Sequence, residues 1–217
     1  METGSRGRQK EIPEGIKAII FDLGGVIVNL ETERTLHEFL RLGIEKVDFG
    51  THPGNQPDFF SLYETGKISD TDFIQGLSKY MHAHVSVHEI KNAWNCMILD
   101  LPRTQLEILE KLKGSYRLFL LSNTNNLHIR YFLDDFERQY PELKFESFFE
   151  KVYYSHEIGK RKPDVEVYEY ILDDNGLQAN ECLFIDDNLV NVEAARQAGI
   201  HAIHHPRNAA ISYLTES

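Results

Sequence analysis

The stretch that most limits what this chain can fold into is 16–30, Ile-Lys-Ala-Ile-Ile-Phe-Asp-Leu-Gly-Gly-Val-Ile-Val-Asn-Leu. Apolar residues at 18–21 and 23 flank a single acid, Asp22, with no polar alternation between them. A short, continuously apolar run of this kind suits a strand buried on both faces, as in the middle of a helix-covered parallel sheet. Asp22 then stands at the polar end of that strand, and the glycines at 24 and 25 let the backbone turn sharply and approach a ligand closely. A carboxylate so placed either caps a loop and pairs with a cation, or does chemistry. This stretch alone leaves both readings open.

The remainder of the chain divides by pattern. From 33 to about 101 the periodicity is helical, with helices expected over 35–42, 59–65, 70–81 (Ser69 as N-cap) and 87–97, and a loop over 51–57. Past Pro102, helical segments alternate with short apolar runs at 116–121, 151–154, 181–185 and 200–204. That alternation implies parallel strands joined by crossover helices. The expected architecture is α/β: a Rossmann-like parallel sheet flanked by helices, built from 15–32 and 102–217. A four-helix domain is inserted at 33–101, and 1–14 is expected to be a disordered extension.

Composition excludes several functions. A formal charge of −11 without any run of Lys or Arg argues against nucleic acid or an anionic membrane as partner. No segment approaches the roughly 20 apolar residues of a membrane span, and the polar first 14 residues lack the apolar core of a signal peptide. The two cysteines, Cys96 and Cys182, form no CxxC pattern, which suits free thiols in a reducing cytoplasm. Of the histidines at 82, 84, 88, 201, 204 and 205, only His84 and His88 have i, i+4 spacing within a helical stretch. No glutamate follows His84 in the HExxH manner, so a zinc site is not expected. Trp94 and Phe59 are read as core of the insertion.

Polar residues collect where successive strands end: Asp22, then Ser122 and Asn123, then the loop with Lys162, then Asp186 and Asp187. Ligands bind at this edge of open parallel sheets. Three carboxylates, a hydroxyl and an ammonium form a kit for holding a divalent cation and a phosphoryl group side by side, because Mg²⁺ takes oxygen ligands and commonly shares them with a substrate phosphate. Crowded carboxylates without a cation repel one another.

In order and local sequence, Phe21-Asp22-Leu23-Gly24-Gly25-Val26, Leu121-Ser122-Asn123, Lys162-Pro163 and Ile185-Asp186-Asp187-Asn188 resemble the four motifs of the haloacid dehalogenase superfamily. The helical insertion falls where that family carries its type 1 cap. The strings at 64–69, 121–125 and 159–163 more narrowly resemble bacterial α-D-glucose-1-phosphate phosphatases. The resemblance implies a nucleophilic Asp22 that forms an aspartyl-phosphate. It implies Mg²⁺ held by Asp22, the Gly24 carbonyl and Asp187, with Asp186 a direct or water-mediated ligand. It also implies phosphoryl contacts from Ser122, the Asn123 N–H and Lys162, and a small phosphorylated metabolite as substrate.

Phosphatases of this family usually carry an acid two residues after the nucleophile, and here that position is Gly24. Its absence suggests an activated leaving group such as a sugar 1-phosphate, with Glu64, Tyr63 or His128 as candidate replacements for the acid. The competing readings are a metal-independent 2-haloacid dehalogenase and a phosphate-binding regulator without turnover. The paired Asp186 and Asp187, with Gly24-Gly25-Val26 after the nucleophile, point away from the dehalogenase.

Overall fold

The computed structural model describes residues 12–44, 58–82 and 84–215. Five strands, β1 (Ala18–Phe21), β2 (Arg117–Ser122), β3 (Lys151–Tyr154), β4 (Cys182–Asp186) and β5 (His201–His204), form one parallel sheet in the order β3-β2-β1-β4-β5. The central β1 pairs with β2 and β4 in matching register, Phe21 lying opposite Leu120 and Ile185. The strand ends that carry Asp22, Ser122 and Asp186 therefore come together at one edge.

Both faces of the sheet are buried, with period-2 alternation sending neighbours to opposite cores. Ile19, Phe21, Leu118, Leu120, Leu183 and Ile185 pack on one side, against Leu106 and Leu109 of α5 (Arg103–Lys113) and Phe132 and Phe136 of α6 (Asn126–Gln139). Ala18, Ile20, Phe119, Leu121 and Phe184 pack on the other, against Tyr168 and Ile171 of α8 (Val165–Asn175) and Ala195 of α9 (Leu189–Gln197). Full burial of such side chains stabilises by roughly 1.5–3 kcal/mol each.

Between β1 and α5 come α1 (Thr32–Arg41), α2 (Asp58–Glu64), α3 (Asp70–Ser78) and α4 (Val87–Asn95). They share a separate apolar cluster of Phe39, Phe60, Phe73, Leu77 and Trp94, which also takes in Leu127 of α6. Capping boxes start α3 and α4: Ser69 with Asp72, and Ser86 with Glu89. The two chain crossings into this bundle run side by side, Asn29 N–H donating to the Asp100 carbonyl and Leu99 N–H to that of Asn29.

The structure shifts several expected boundaries. α1 begins three residues earlier than expected, at Thr32, and α3 and α4 stop at Ser78 and Asn95 rather than near 81 and 97. A one-turn helix, α7 (Ser155–Ile158), follows β3 where the sequence pattern predicts no element. The expected loop over 51–57 and residues 1–11 of the expected extension lie outside the described residues. Ile12, within the expected extension, packs against the hydrophobic core. Cys96 and Cys182 are free thiols, and among the described residues no helix is long and apolar enough to cross a membrane.

Candidate active site

Asp22, Asp186 and Asp187 converge from the ends of β1 and β4, each offering an oxygen within 4.8 Å of the others. Among the described residues this is the only such cluster of His, Cys, Asp or Glu, so the histidines form none. Lys162 reaches in from the loop after α7, its Nζ 2.8 Å from Asp22 Oδ1 and 2.7 Å from Asp186 Oδ2, with side-chain exposures of 1%, 12% and 0% respectively. Burial alone would lower the lysine pKa, but Asp186 and Asp22 outweigh it and hold the ammonium charged. Burial raises the Asp22 carboxyl above its ordinary range, Lys162 pulls it back, and Asp186 and Asp187 push it up again.

The two adjacent acids differ in their surroundings. Asp186 is saturated: Oδ2 accepts from Lys162, Oδ1 from Asn188 N–H at 2.7 Å, and both oxygens from Asn191 Nδ2 at 3.1 Å. Asp187 faces the cavity and accepts from Arg207 Nε at 2.5 Å. Gly25 makes room for it: φ is +75°, and a Cβ there would lie 2.6 Å from Asp187 Oδ2.

Ser122 lies at the end of β2, buried and on the cavity wall. The Asn123 side chain clasps the lysine loop, Nδ2 donating to the Lys162 carbonyl at 2.7 Å and Oδ1 accepting from Lys162 N–H at 2.8 Å. Ser155 braces the same turn, its Oγ accepting from Thr124 N–H and donating to the Thr124 carbonyl. Lys162 is thus positioned by the segment after β2 as well as by its own loop.

These groups border a cavity of about 280 Å³ that continues between the sheet edge and the helical insertion, where Glu64, Trp94, His128, Leu30 and Phe132 also line it. Residue 24 contributes nothing beyond backbone. A Cβ at Gly24 would sit 2.3 Å from Leu30 Cδ1, so the leucine occupies the space a side chain at that position would use.

Of the three candidates for the missing acid, Tyr63 is excluded. Its hydroxyl donates to Asp70 Oδ1 and accepts from Leu127 N–H, and it does not line the cavity. Trp94 belongs to the apolar cluster of the insertion, as expected, yet also borders the cavity and stacks on His128 at 4.6 Å.

Sequence reasoning missed the second roles of Asn123, Asn191, Ser155 and Arg207. For Asn191, five residues after Asp186 and one turn into α9, spacing offered a signal. Arg207 lies 20 residues past its partner, and nothing in the sequence pointed to it.

The donor set fits a hard cation: carboxylate oxygens crowded at a strand edge, with repulsion that a divalent ion would relieve. A family model for haloacid dehalogenase-like hydrolases matches residues 16–199. The chain belongs to the haloacid dehalogenase-like hydrolases.

Among curated members, a D-ribitol-5-phosphate phosphatase of Bacteroides thetaiotaomicron is 29% identical over 90% of this chain and 94% of its own. A sesquiterpene phosphatase of Aspergillus oryzae is 29% identical over 87% of this chain and 89% of its own. Among solved structures, a haloacid dehalogenase family enzyme from B. thetaiotaomicron, in complex with magnesium and inorganic phosphate, superposes with a TM-score of 0.83. It is 33% identical, covering 93% of this chain and all (100%) of that one.

Proposed function

We propose that this hydrolase is a Mg²⁺-dependent phosphomonoesterase that transfers the phosphoryl group of a small sugar or polyol phosphate to Asp22 and then to water. The observation that carries the reading is the buried arrangement of Lys162 between Asp22 and Asp186 with Asp187 alongside, on the cavity floor where the strands end. Relatives named as phosphatases, and a homologous structure holding magnesium and phosphate, support it.

Asp22, Asp187 and the Gly24 carbonyl would hold Mg²⁺, and Asp186, already saturated, would contribute through water or by holding Lys162. When bound, the ion supplies charge that offsets the repulsion between carboxylate and phosphate. Asp22 attacks phosphorus, the alcohol departs, and water cleaves the aspartyl-phosphate. Ser122, the Asn123 N–H and Lys162 compensate charge that spreads over the phosphoryl oxygens in the transition state. Residues 33–101 act as a cap that covers the cavity and sheds water during transfer. The two free thiols suit a reducing cytoplasm.

The narrower expectation of a sugar 1-phosphate rested on the missing acid at residue 24 and on the resemblance of 64–69, 121–125 and 159–163 to glucose-1-phosphate phosphatases. A relative named for a polyol 5-phosphate weighs against that restriction, since its phosphate sits on an ordinary primary alcohol. The test measures phosphate release from D-ribitol 5-phosphate, α-D-glucose 1-phosphate and p-nitrophenyl phosphate, with Mg²⁺ and with EDTA, for the native enzyme and Asp22→Asn. Metal-dependent release that Asp22→Asn lowers at least 10³-fold is expected. Release that survives EDTA, or survives in the variant, refutes the reading; a dehalogenase or a binding-only regulator would release no phosphate at all.

A further inference from the structure

We propose that Glu64, at the end of α2, is the proton donor to the leaving group, replacing the carboxyl that Gly24 lacks; this rests on the phosphomonoesterase reading above. Leu30 fills the space at residue 24, so no side chain there reaches the reacting atoms. The acid has to come from another wall of the cavity. Among the described residues, its titratable lining consists of Asp22, Glu64, His128, Lys162, Asp187 and Arg207.

Four of these are committed elsewhere. Asp22 is the nucleophile, Lys162 is held by two carboxylates, and Asp187 and Arg207 pair with each other. His128 is stacked on Trp94 with Nδ1 against Asn95 Oδ1, and burial lowers its imidazole to about 3. It is neutral near pH 7 and has no surplus proton to give.

Glu64 differs in position and burial, although it too has a cationic neighbour. Among the described residues it is the one carboxyl in the cavity lining that comes from the helical insertion rather than the sheet edge. Its Oε2 is buried and makes no hydrogen bond; its charged neighbour is Arg161, whose Nη1 lies 3.1 Å away. Burial raises the Glu64 carboxyl above its ordinary range and outweighs the arginine beside it. The end of α2 is also pressed onto the catalytic half. A Cβ at Gly66 would stand 2.0 Å from the His156 carbonyl, and Arg161 immediately precedes Lys162. The segment carrying Glu64 is therefore anchored to the catalytic half, and Glu64 lines the same cavity as Asp22.

The step balances without a further reactant. Asp22 forms a bond to phosphorus, the P–O bond to the alcohol breaks with its electron pair staying on oxygen, and the Glu64 proton moves to that oxygen. In the second half, water attacks phosphorus, its proton returns to the Glu64 carboxylate, and the Asp22–phosphorus bond breaks. Phosphate leaves and both acids are restored.

The experiment compares kcat/KM, which reports steps up to aspartyl-phosphate formation, for D-ribitol 5-phosphate and p-nitrophenyl phosphate. A primary alkoxide needs a proton as it departs, whereas nitrophenolate does not. Glu64→Gln is expected to lower the ribitol-to-nitrophenyl ratio by about 10²–10⁴. Glu64→Asp should recover at least tenfold of it, and Arg161→Gln, which breaks the same ion pair but keeps the acid, should hold the ratio within about threefold. An unchanged ratio in Glu64→Gln, or an equal fall in Arg161→Gln, overturns the assignment and makes Glu64 a docking residue of the insertion. A native enzyme inactive on both esters instead overturns the phosphatase reading.

Discussion

Replacing Lys162 with methionine tests the electrostatics of the site in isolation. The ammonium joins Asp22 at 2.8 Å and Asp186 at 2.7 Å in surroundings that are all but sealed. Methionine keeps much of the side-chain volume, so the loss is mainly charge. Removing one partner from a buried ion pair costs about 3–5 kcal/mol, because the remaining charges keep their desolvation penalty without the compensating attraction. Urea unfolding in EDTA near neutral pH should therefore show Lys162→Met less stable by about that amount. Adding Asp186→Asn removes one stranded charge, and the double variant should recover about 1–3 kcal/mol relative to the sum of the single losses. Mg²⁺ should stabilise Lys162→Met more than the native enzyme. A cation that binds only the folded state contributes RT ln(1 + [L]/Kd), and each tenfold tightening of Kd adds about 1.4 kcal/mol. Native-like stability in EDTA, or strictly additive losses in the double variant, would refute the argument that the lysine neutralises this acid cluster.

Two further changes probe the surroundings. His128 is neutral in the folded enzyme down to about pH 3, whereas the unfolded chain takes up a proton near 6.5, so the folded state loses stability as pH falls through that window. His128→Gln should flatten this acid-side loss, which at about 1.4 kcal/mol per unit amounts to several kcal/mol; parallel stability profiles from pH 7 to 4 would contradict it. Gly25→Ala forces a side chain into a positive-φ position, 2.6 Å from Asp187 Oδ2, and should weaken Mg²⁺ binding at least tenfold in a thermal-shift titration. Gly176→Ala, at φ +61° with nothing within 4 Å, should cost about 1–2 kcal/mol of stability and leave Mg²⁺ affinity unchanged.

What could be read from the chain follows from how local each signal is. The unbroken apolar runs around Ile20, Leu120 and Phe184 required doubly covered strands, and the polar residues at their ends had to meet at one edge. Ser69 announced its helix because a capping box lies within four consecutive residues. α7 has four residues, too few for periodicity to register. The clasp of Asn123 on the Lys162 backbone joins positions 39 apart and exists only once β2 and the loop after α7 are in place. The difference between Asp186 and Asp187 was equally hidden, because adjacent strand-end residues face opposite ways and only the surrounding fold decides which one faces the cavity.

Leu30 has an evolutionary consequence. Were an acid at residue 24 to arise by mutation, its Cβ would meet Leu30 Cδ1 at 2.3 Å, so the leucine would first have to leave its rotamer or be replaced. Leu30 packs against the core and pairs with Ile98 where the chain enters and leaves the helical insertion, so trimming it first would loosen that crossing. A rotamer change of the half-buried leucine could admit the new side chain without that loss. Position 24 should therefore change before position 30 among descendants of this sequence, and a lineage that has settled on glycine and leucine is under pressure to find its proton elsewhere.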